Sequence, residues 1–396
     1  MSDPLNWLDE ALADLDRRGL RRTLNSRHGP QRGDRIEMGG QTLVNFGSND
    51  YLGLASDPRI AAAVKSALDD AGWGSGASPL VTGRTDLHAQ LERKLAEFEG
   101  TEAALLFPSG YAANVGTITS LVGKGDAIYS DELNHASIID GCRLSGAVVH
   151  VYPNQFSTPS RKEDLNHLEY LLNEGRQYRR RLIVTDSIFS MHGTYAPLMG
   201  LAHLADSFHA MLLVDEAHAT GVIGDRGGGL CEAAAGGDRV SVRVGTLSKA
   251  LGSHGGFVAG SKRLIDWLAN RARPYVFSTA APAAAVAAAI AALDIVQSEP
   301  ERRQKLDASS VELRRKLVIQ GIIKPTSLTQ IIPVILGDAN RTMAAAAELR
   351  RRGFFVPGIR PPSVLEGQSL LRISLTCLHT EQQIDDLVAA LGEVVR

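Results

Sequence analysis

Lys249 sits where a β-branched run gives way to a small-residue loop, in Val242-Arg243-Val244-Gly245-Thr246-Leu247-Ser248-Lys249-Ala250-Leu251-Gly252. Of the nine lysines, it alone lies between such a run and a Gly-rich loop. Upstream, Met211-Leu212-Leu213-Val214 leads into Asp215-Glu216-Ala217-His218, again an apolar run ending on polar groups. A lysine held at a rigid strand end can act as a Schiff-base nucleophile. A carboxylate at the end of a buried strand needs a cationic partner, which a protonated pyridine nitrogen supplies. A nearby imidazole can bond a phenolic oxygen. Together the three groups suit pyridoxal phosphate, which needs a lysine, an acid for its ring nitrogen and a donor for its phenolic oxygen. Taken singly, each residue also has a plainer reading: a surface loop lysine, a helix-capping aspartate and a structural histidine.

Other segments fit the same cofactor. Phe107-Pro108-Ser109-Gly110-Tyr111-Ala112-Ala113-Asn114 reads as a strand-to-helix turn, whose free amides would take a phosphate. Many turns of this type look alike. Thr246, Ser248, Ser278 and Thr279 add hydroxyls of the kind a phosphate needs. In Asp131-Glu132-Leu133-Asn134-His135-Ala136-Ser137, His135 follows a strand and could stack on a pyridine ring; Asn134 or Asp131 could equally be capping a helix there.

These residues must be positioned by alternating elements. The pattern predicts helices at 58–70, 86–99 and 111–122. Short apolar strands are expected at 103–107, 127–129, 147–151, 182–185, 211–214, 241–244 and 256–259. Such alternation argues for a largely parallel α/β sheet, with ligands bound beyond the strand carboxyl ends. An amphipathic helix is expected over 4–24, a polar Gly-rich link over 28–40 and a strand over 42–46. One long helical stretch is expected over 281–319, with Pro282 in its first turn. Beyond it, strands near 329–335 and 370–375 and helices near 340–352 and 380–395 read as a smaller α/β region. The expected organisation is an N-terminal helix and arm (1–45), a large cofactor-binding domain (46–290) and a small C-terminal domain (291–396).

The 396 residues exceed one core's usual limit of roughly 250–300. A formal net charge of −2 gives no support for a nucleic-acid or anionic-membrane partner. The three cysteines (Cys142, Cys231, Cys377) lack metal-ligand spacing, so no metal and a reducing, cytoplasmic setting are expected. No signal peptide or membrane span is read from the sequence. There is no GxxxxGK[ST] loop, no GxGxxG opening a helix, no HExxH and no GxSxG.

The chain resembles the α-oxoamine synthases, a branch of the aspartate-aminotransferase-like (fold type I) enzymes that use pyridoxal 5′-phosphate. The segments that carry the resemblance are Asn45-Phe46-Gly47-Ser48-Asn49-Asp50-Tyr51-Leu52-Gly53-Leu54, Gly74-Ser75-Gly76-Ala77-Ser78, Val214 to Gly221, Ile359-Arg360-Pro361-Pro362-Ser363-Val364 and Leu371-Arg372-Ile373-Ser374-Leu375-Thr376. The last two point to the biotin-pathway branch, implying condensation of L-alanine with a pimeloyl thioester of CoA or carrier protein and loss of CO2. The resemblance further implies that Lys249 carries the cofactor, Asp215 pairs with its ring nitrogen, and His218 and Ser190 approach its phenolic side. Gly110, Tyr111 and Thr246 would help to hold it, Ser278 and Thr279 would come from a partner subunit, and His135 would stack on the ring and aid catalysis. Arg372 would bind the amino-acid carboxylate, with Arg21 and Ser363 also touching substrate. A homodimer with shared active sites is implied. The chain departs from the family pattern at His192 and Thr194, where acidic residues are usual, and at Pro79. Glycine C-acetyltransferase chemistry, or another amino acid or acyl chain, is the alternative within the family; a catalytically silent binding protein on the same fold is the alternative outside it.

Overall fold

The structure is a computed structural model, and it describes residues 3–154, 165–325 and 329–395. The chain forms two compact units: one of residues 1–49, 191–193 and 306–396, the other of 50–190 and 194–305.

The larger unit is built on seven strands: β1 (Ala103–Phe107), β2 (Ala127–Asp131), β3 (Val148–Tyr152), β4 (Arg181–Asp186), β5 (Met211–Asp215), β6 (Val242–Thr246) and β7 (Gly256–Gly260). Their order across the sheet is β1-β7-β6-β5-β4-β2-β3. Only β7 runs against the others, pairing antiparallel with both β1 and β6. The expected parallel α/β sheet is therefore present, with one reversed strand inside it. Alternate residues feed opposite faces: Leu182, Val184 and Leu213 join one apolar cluster, while Ile183, Leu212 and Val214 join another. Burial on both faces explains why these strands read as unbroken apolar runs.

Most strands extend one or two residues further toward the carboxyl end than their apolar runs, so that β2, β4 and β5 each finish on an aspartate and β6 on Thr246. Two helices start from this edge. α1 (Gly110–Leu121) is capped by the Ser109 hydroxyl, which accepts from Ala112 N at 3.1 Å. α2 (Ala136–Ser145) is capped by the imidazole of His135.

The expected long helix at 281–319 is broken. α3 (Ala283–Ser298) ends at Glu299, and α4 (Pro300–Ile319) starts on Pro300 with a bend of 74°. A proline disfavours helical backbone at the residue before it and suits a first helical position, so it restarts the helix. Pro282 caps α3 from outside rather than lying in its first turn. Among the described residues no single helix is long and apolar enough to cross a membrane.

In the other unit the N-terminal helix covers only Trp7–Arg17, because Gly19 turns the backbone left-handed (φ 64°). The stretch expected to be a link contains a hairpin, Arg35–Met38 with Gln41–Asn45, turned by Gly39 and Gly40 at φ 60° and 75°. Positive φ at both central residues is what a two-residue hairpin of matching twist requires. Ser369–Ser374 forms the centre of a three-stranded sheet between Ile331–Gly337 and Gly358–Ile359.

Candidate active site

The carboxyl edge of the large sheet gathers most of the groups that the sequence singles out in this unit. Lys249 lies three residues beyond β6 and is half-buried. Its Nζ is 2.9 Å from His218 Nε2, and His218 Nδ1 is 2.6 Å from the Tyr51 hydroxyl. Both His218 and Tyr51 are buried. The three groups form one line, Lys249–His218–Tyr51.

A second line starts at Asp215, also buried. Its Oδ1 accepts from Ala217 N at 2.8 Å and its Oδ2 from Asn114 Nδ2 at 2.6 Å. Asn114, one turn into α1, also donates to Ser137 Oγ at 2.9 Å. Ser137 Oγ lies 2.7 Å from His135 Nδ1. His135 in turn donates its backbone N–H to Asp186 Oδ2 at 2.8 Å. Asp186 ends the strand beside Asp215 and is its register partner. Burial, and then the neighbouring Asp215 charge, push the Asp186 carboxyl well above the usual carboxylate range. Asn134 anchors this loop, accepting from Asp186 N and donating to the Val184 carbonyl, both at 2.9 Å.

The start of α1 lies directly over β7. A Cβ added to Gly256 would fall 2.4 Å from Gly110 N, a distance no real Cβ tolerates. The absence of a side chain there seats the first turn of α1 beside Thr246, which a Cβ on Gly110 would meet at 3.5 Å. Thr246 Oγ1 is 2.8 Å from Ser248 Oγ. A helix start and two hydroxyls converge, which is the donor set a phosphate group takes. The nearby Asp215 carboxylate is a match for a ring cation, and Lys249 offers an amine. These residues fit pyridoxal phosphate.

Other expected residues are spread more widely. Ser190 is half-buried on the loop leaving β4, which is tied to β5 where Ser187 N and Oγ donate to the Asp215 carbonyl at 2.9 and 3.0 Å. Tyr111 is exposed and its hydroxyl donates to Asp140. Ser278 and Thr279 line a cleft with Arg84, His88 and Pro108. In the other unit Arg372 is buried, donating to Ser374 Oγ at 2.8 Å and Asn49 Oδ1 at 3.1 Å. Arg21 is exposed and paired with Asp16, while its carbonyl accepts from Arg360 Nη2 at 2.6 Å. Ser363 N donates to the Arg360 carbonyl at 3.1 Å, so Arg360 joins the segments that carry Arg21 and Ser363. His192, also in that unit, is held below the ordinary imidazole value by burial. Pro79 opens a five-residue π-helical turn, Pro79–Gly83.

Four residues of these networks have no role in the sequence reading: Tyr51, Asn114, Ser137 and Asp186. Tyr51 lies within a quoted segment, and Asn114 and Ser137 stand at the ends of two others.

The family model for class I and II aminotransferases matches residues 41–391. The chain belongs to this family. Among curated relatives, the 8-amino-7-oxononanoate synthase of Anaeromyxobacter dehalogenans is 50% identical over 391 residues, covering 99% of this chain and 96% of that protein. The 8-amino-7-oxononanoate synthase 2 of Bacillus subtilis is 46% identical over 389 residues, covering 98% of this chain and 97% of that one. Among solved structures, a serine palmitoyltransferase from S. paucimobilis matches with a TM-score of 0.92 at 29% identity, over 99% of this chain and 98% of that one. The 8-amino-7-oxononanoate synthase of Francisella tularensis matches with a TM-score of 0.75 at 27% identity, over 89% and 97%. The fold is thus that of the pyridoxal-phosphate-dependent transferases.

Proposed function

We propose that the chain is an acyltransferase of biotin biosynthesis. It condenses L-alanine with a pimeloyl thioester to give 8-amino-7-oxononanoate, CO2 and the free thiol, using pyridoxal 5′-phosphate. The observation that carries this reading is the 50% identity over 99% of the chain to a protein named for that product. The serine palmitoyltransferase match is the rival. It shares the fold, but at 29% identity it shares far fewer residues with this chain.

When bound, the cofactor supplies an electron sink for charge developing at the alanine Cα. Lys249 would hold it, and the lysine amine, when free, would take the Cα proton. His218, 2.9 Å from Lys249 Nζ with Tyr51 behind it, would bond the phenolic oxygen and exchange a proton with the free amine. Asp215 would keep the ring nitrogen protonated, and the first turn of α1 with Thr246 and Ser248 would bind the phosphate. Gly110 allows the close approach there, and Tyr111 borders it. Ser190 would approach the phenolic oxygen. His135 would cover the ring and support loss of the carboxylate. Arg372 is assigned the alanine carboxylate, which its guanidinium can grip with two parallel bonds. Arg21 and Ser363 are assigned to the acyl substrate. The chain is also read as a cytoplasmic homodimer in which Ser278 and Thr279 serve the partner's site. The exposed Phe277 beside them supports this, and sedimentation in solution checks it.

The test is product analysis with purified enzyme and cofactor. L-Alanine with pimeloyl-CoA or pimeloyl-carrier protein should yield CO2 and 8-amino-7-oxononanoate. Turnover only of serine with palmitoyl-CoA, or only of glycine with acetyl-CoA, would replace this reading with the corresponding one.

A further inference from the structure

The hydrogen bonds around His135 have only one consistent set of donors. Ser137 N is a pure donor and points at His135 Nδ1 at 3.2 Å, so Nδ1 must accept. Asn114 Nδ2 is also a pure donor; it bonds the Asp215 carboxylate and Ser137 Oγ together. Ser137 Oγ therefore accepts from Asn114, and its own hydrogen is left for His135 Nδ1 at 2.7 Å. With two donors on Nδ1, the neutral ring carries its proton on Nε2. Protonating Nδ1 would set one N–H against another. His135 also caps α2 through this same nitrogen, so the ring cannot turn without uncapping the helix.

We infer that Ser137 and Asn114 are positioning residues that lock His135 as a neutral Nε2–H donor and tie its orientation to Asp215. His135 then acts on the reaction as a hydrogen-bond donor to a carboxylate or developing oxyanion. It does not take a proton at Nε2, which leaves proton abstraction to Lys249. The inference rests on the reading of His135 as the residue that covers the cofactor ring.

The charges that bear on this imidazole are Asp215, Lys249 and Asp140, with Asp186 on its backbone N–H. Desolvation lowers its pKa most; Asp215 and Asp140 pull it up and Lys249 pulls it down. The lock adds to the first of these, because the imidazolium loses both donors on Nδ1.

The experiment is nitrogen NMR of the full chain with cofactor, its histidines isotope-labelled, with His135→Gln to assign the signal. Across the ordinary imidazole titration range, His135 should show an unprotonated Nδ1 and a protonated Nε2. Ser137→Ala should mix the two tautomers, let the ring titrate nearer its ordinary value and raise the alanine KM about fivefold, the worth of one net hydrogen bond. Ser137→Thr, which keeps the hydroxyl, should bring the signals back. Asn114→Ala should move them in the same direction as Ser137→Ala and serves if that variant folds poorly. A protonated Nδ1 in the parent enzyme overturns the inference. So does an alanine substitution at Ser137 that slows turnover yet leaves tautomer and titration unchanged, because a merely structural role would do that. The tautomer is read without turnover, so a chain with the expected signals that fails to condense alanine with pimeloyl-CoA would remove the reaction and support the lock.

Discussion

The two hydrogen-bond lines at the sheet edge differ in what their members can do with a proton. Tyr51, His218 and Lys249 can each gain or lose one. With a neutral ring two polarities fit that line: Lys249 donates to Nε2 while Nδ1–H donates to Tyr51, or the hydroxyl donates to Nδ1 while Nε2–H donates to a neutral Lys249. In the other line Asp215 and His135 are joined through Asn114 and Ser137, whose amide and hydroxyl do not titrate near neutrality. Its polarity is fixed. One line is built to move a proton and the other to hold a charge and a ring in place. An enzyme that must deprotonate a substrate while keeping a ring nitrogen charged needs both properties within a few residues of each other.

Substitutions can break this contrast. Lys249→Ala removes both the cofactor's anchor and the proton acceptor, and turnover should fall below detection; the check is product formation, with an absorption spectrum for retained cofactor. Asp215→Asn keeps the size of the side chain but not its charge. Turnover should drop about a hundredfold or more, the scale of losing one preorganised electrostatic group, while cofactor binding weakens less. If the second line merely scaffolds, this variant will instead remain within a few-fold of the parent. Tyr51→Phe deletes one bond at the far end of the mobile line. Turnover should fall about fivefold, one net hydrogen bond, with the change appearing in the pH profile of kcat rather than in the alanine KM.

A gentler test uses an acid that ends β2 but belongs to neither line. Burial lifts the Asp131 carboxyl to about 7, against hydrogen bonds from Leu133 N and Asn154. Its folded pKa lies above its unfolded value of 3.8, so the folded state binds the proton more tightly. Stability from this group is present at low pH and is lost as pH rises between those two values. Asp131→Asn should flatten that slope in thermal melts over the same window. An unchanged slope would mean that Asp131 stays ionised in the fold.

The sequence made the strands, their carboxyl-end polar residues and the Lys249, Asp215, His218 and His135 candidates legible, because apolar runs and the groups that interrupt them are local signals. The partners were not. Tyr51 meets His218 across 167 residues, and Asn114 meets Asp215 across 101, so each pairing depends on strand order rather than on spacing. The reversal of β7 was equally hidden, since a short apolar run carries no sign of its direction. Two misses had readable causes. Gly39-Gly40 is a two-residue hairpin turn between Met38 and Gln41, and Pro300 marks the break between α3 and α4. The helices Asn166–Glu174 and Leu198–Ser207 were not expected from pattern alone, although parallel strands need such crossovers; nor was Lys262–Arg271, which follows the reversed β7.

Gly256 sets a limit on how this protein can vary. Most positions near a ligand can trade one side chain for another and shift preference by degrees. Here the smallest possible addition, a single methyl group, collides with the backbone of Ser109 and Gly110 at 2.4–2.6 Å and would have to lift α1 off the sheet. Asn114 rides on that helix, so the displacement would travel to the bond that it makes with Asp215. A saturation library at this codon should therefore return glycine almost alone, whichever substrate is used for selection.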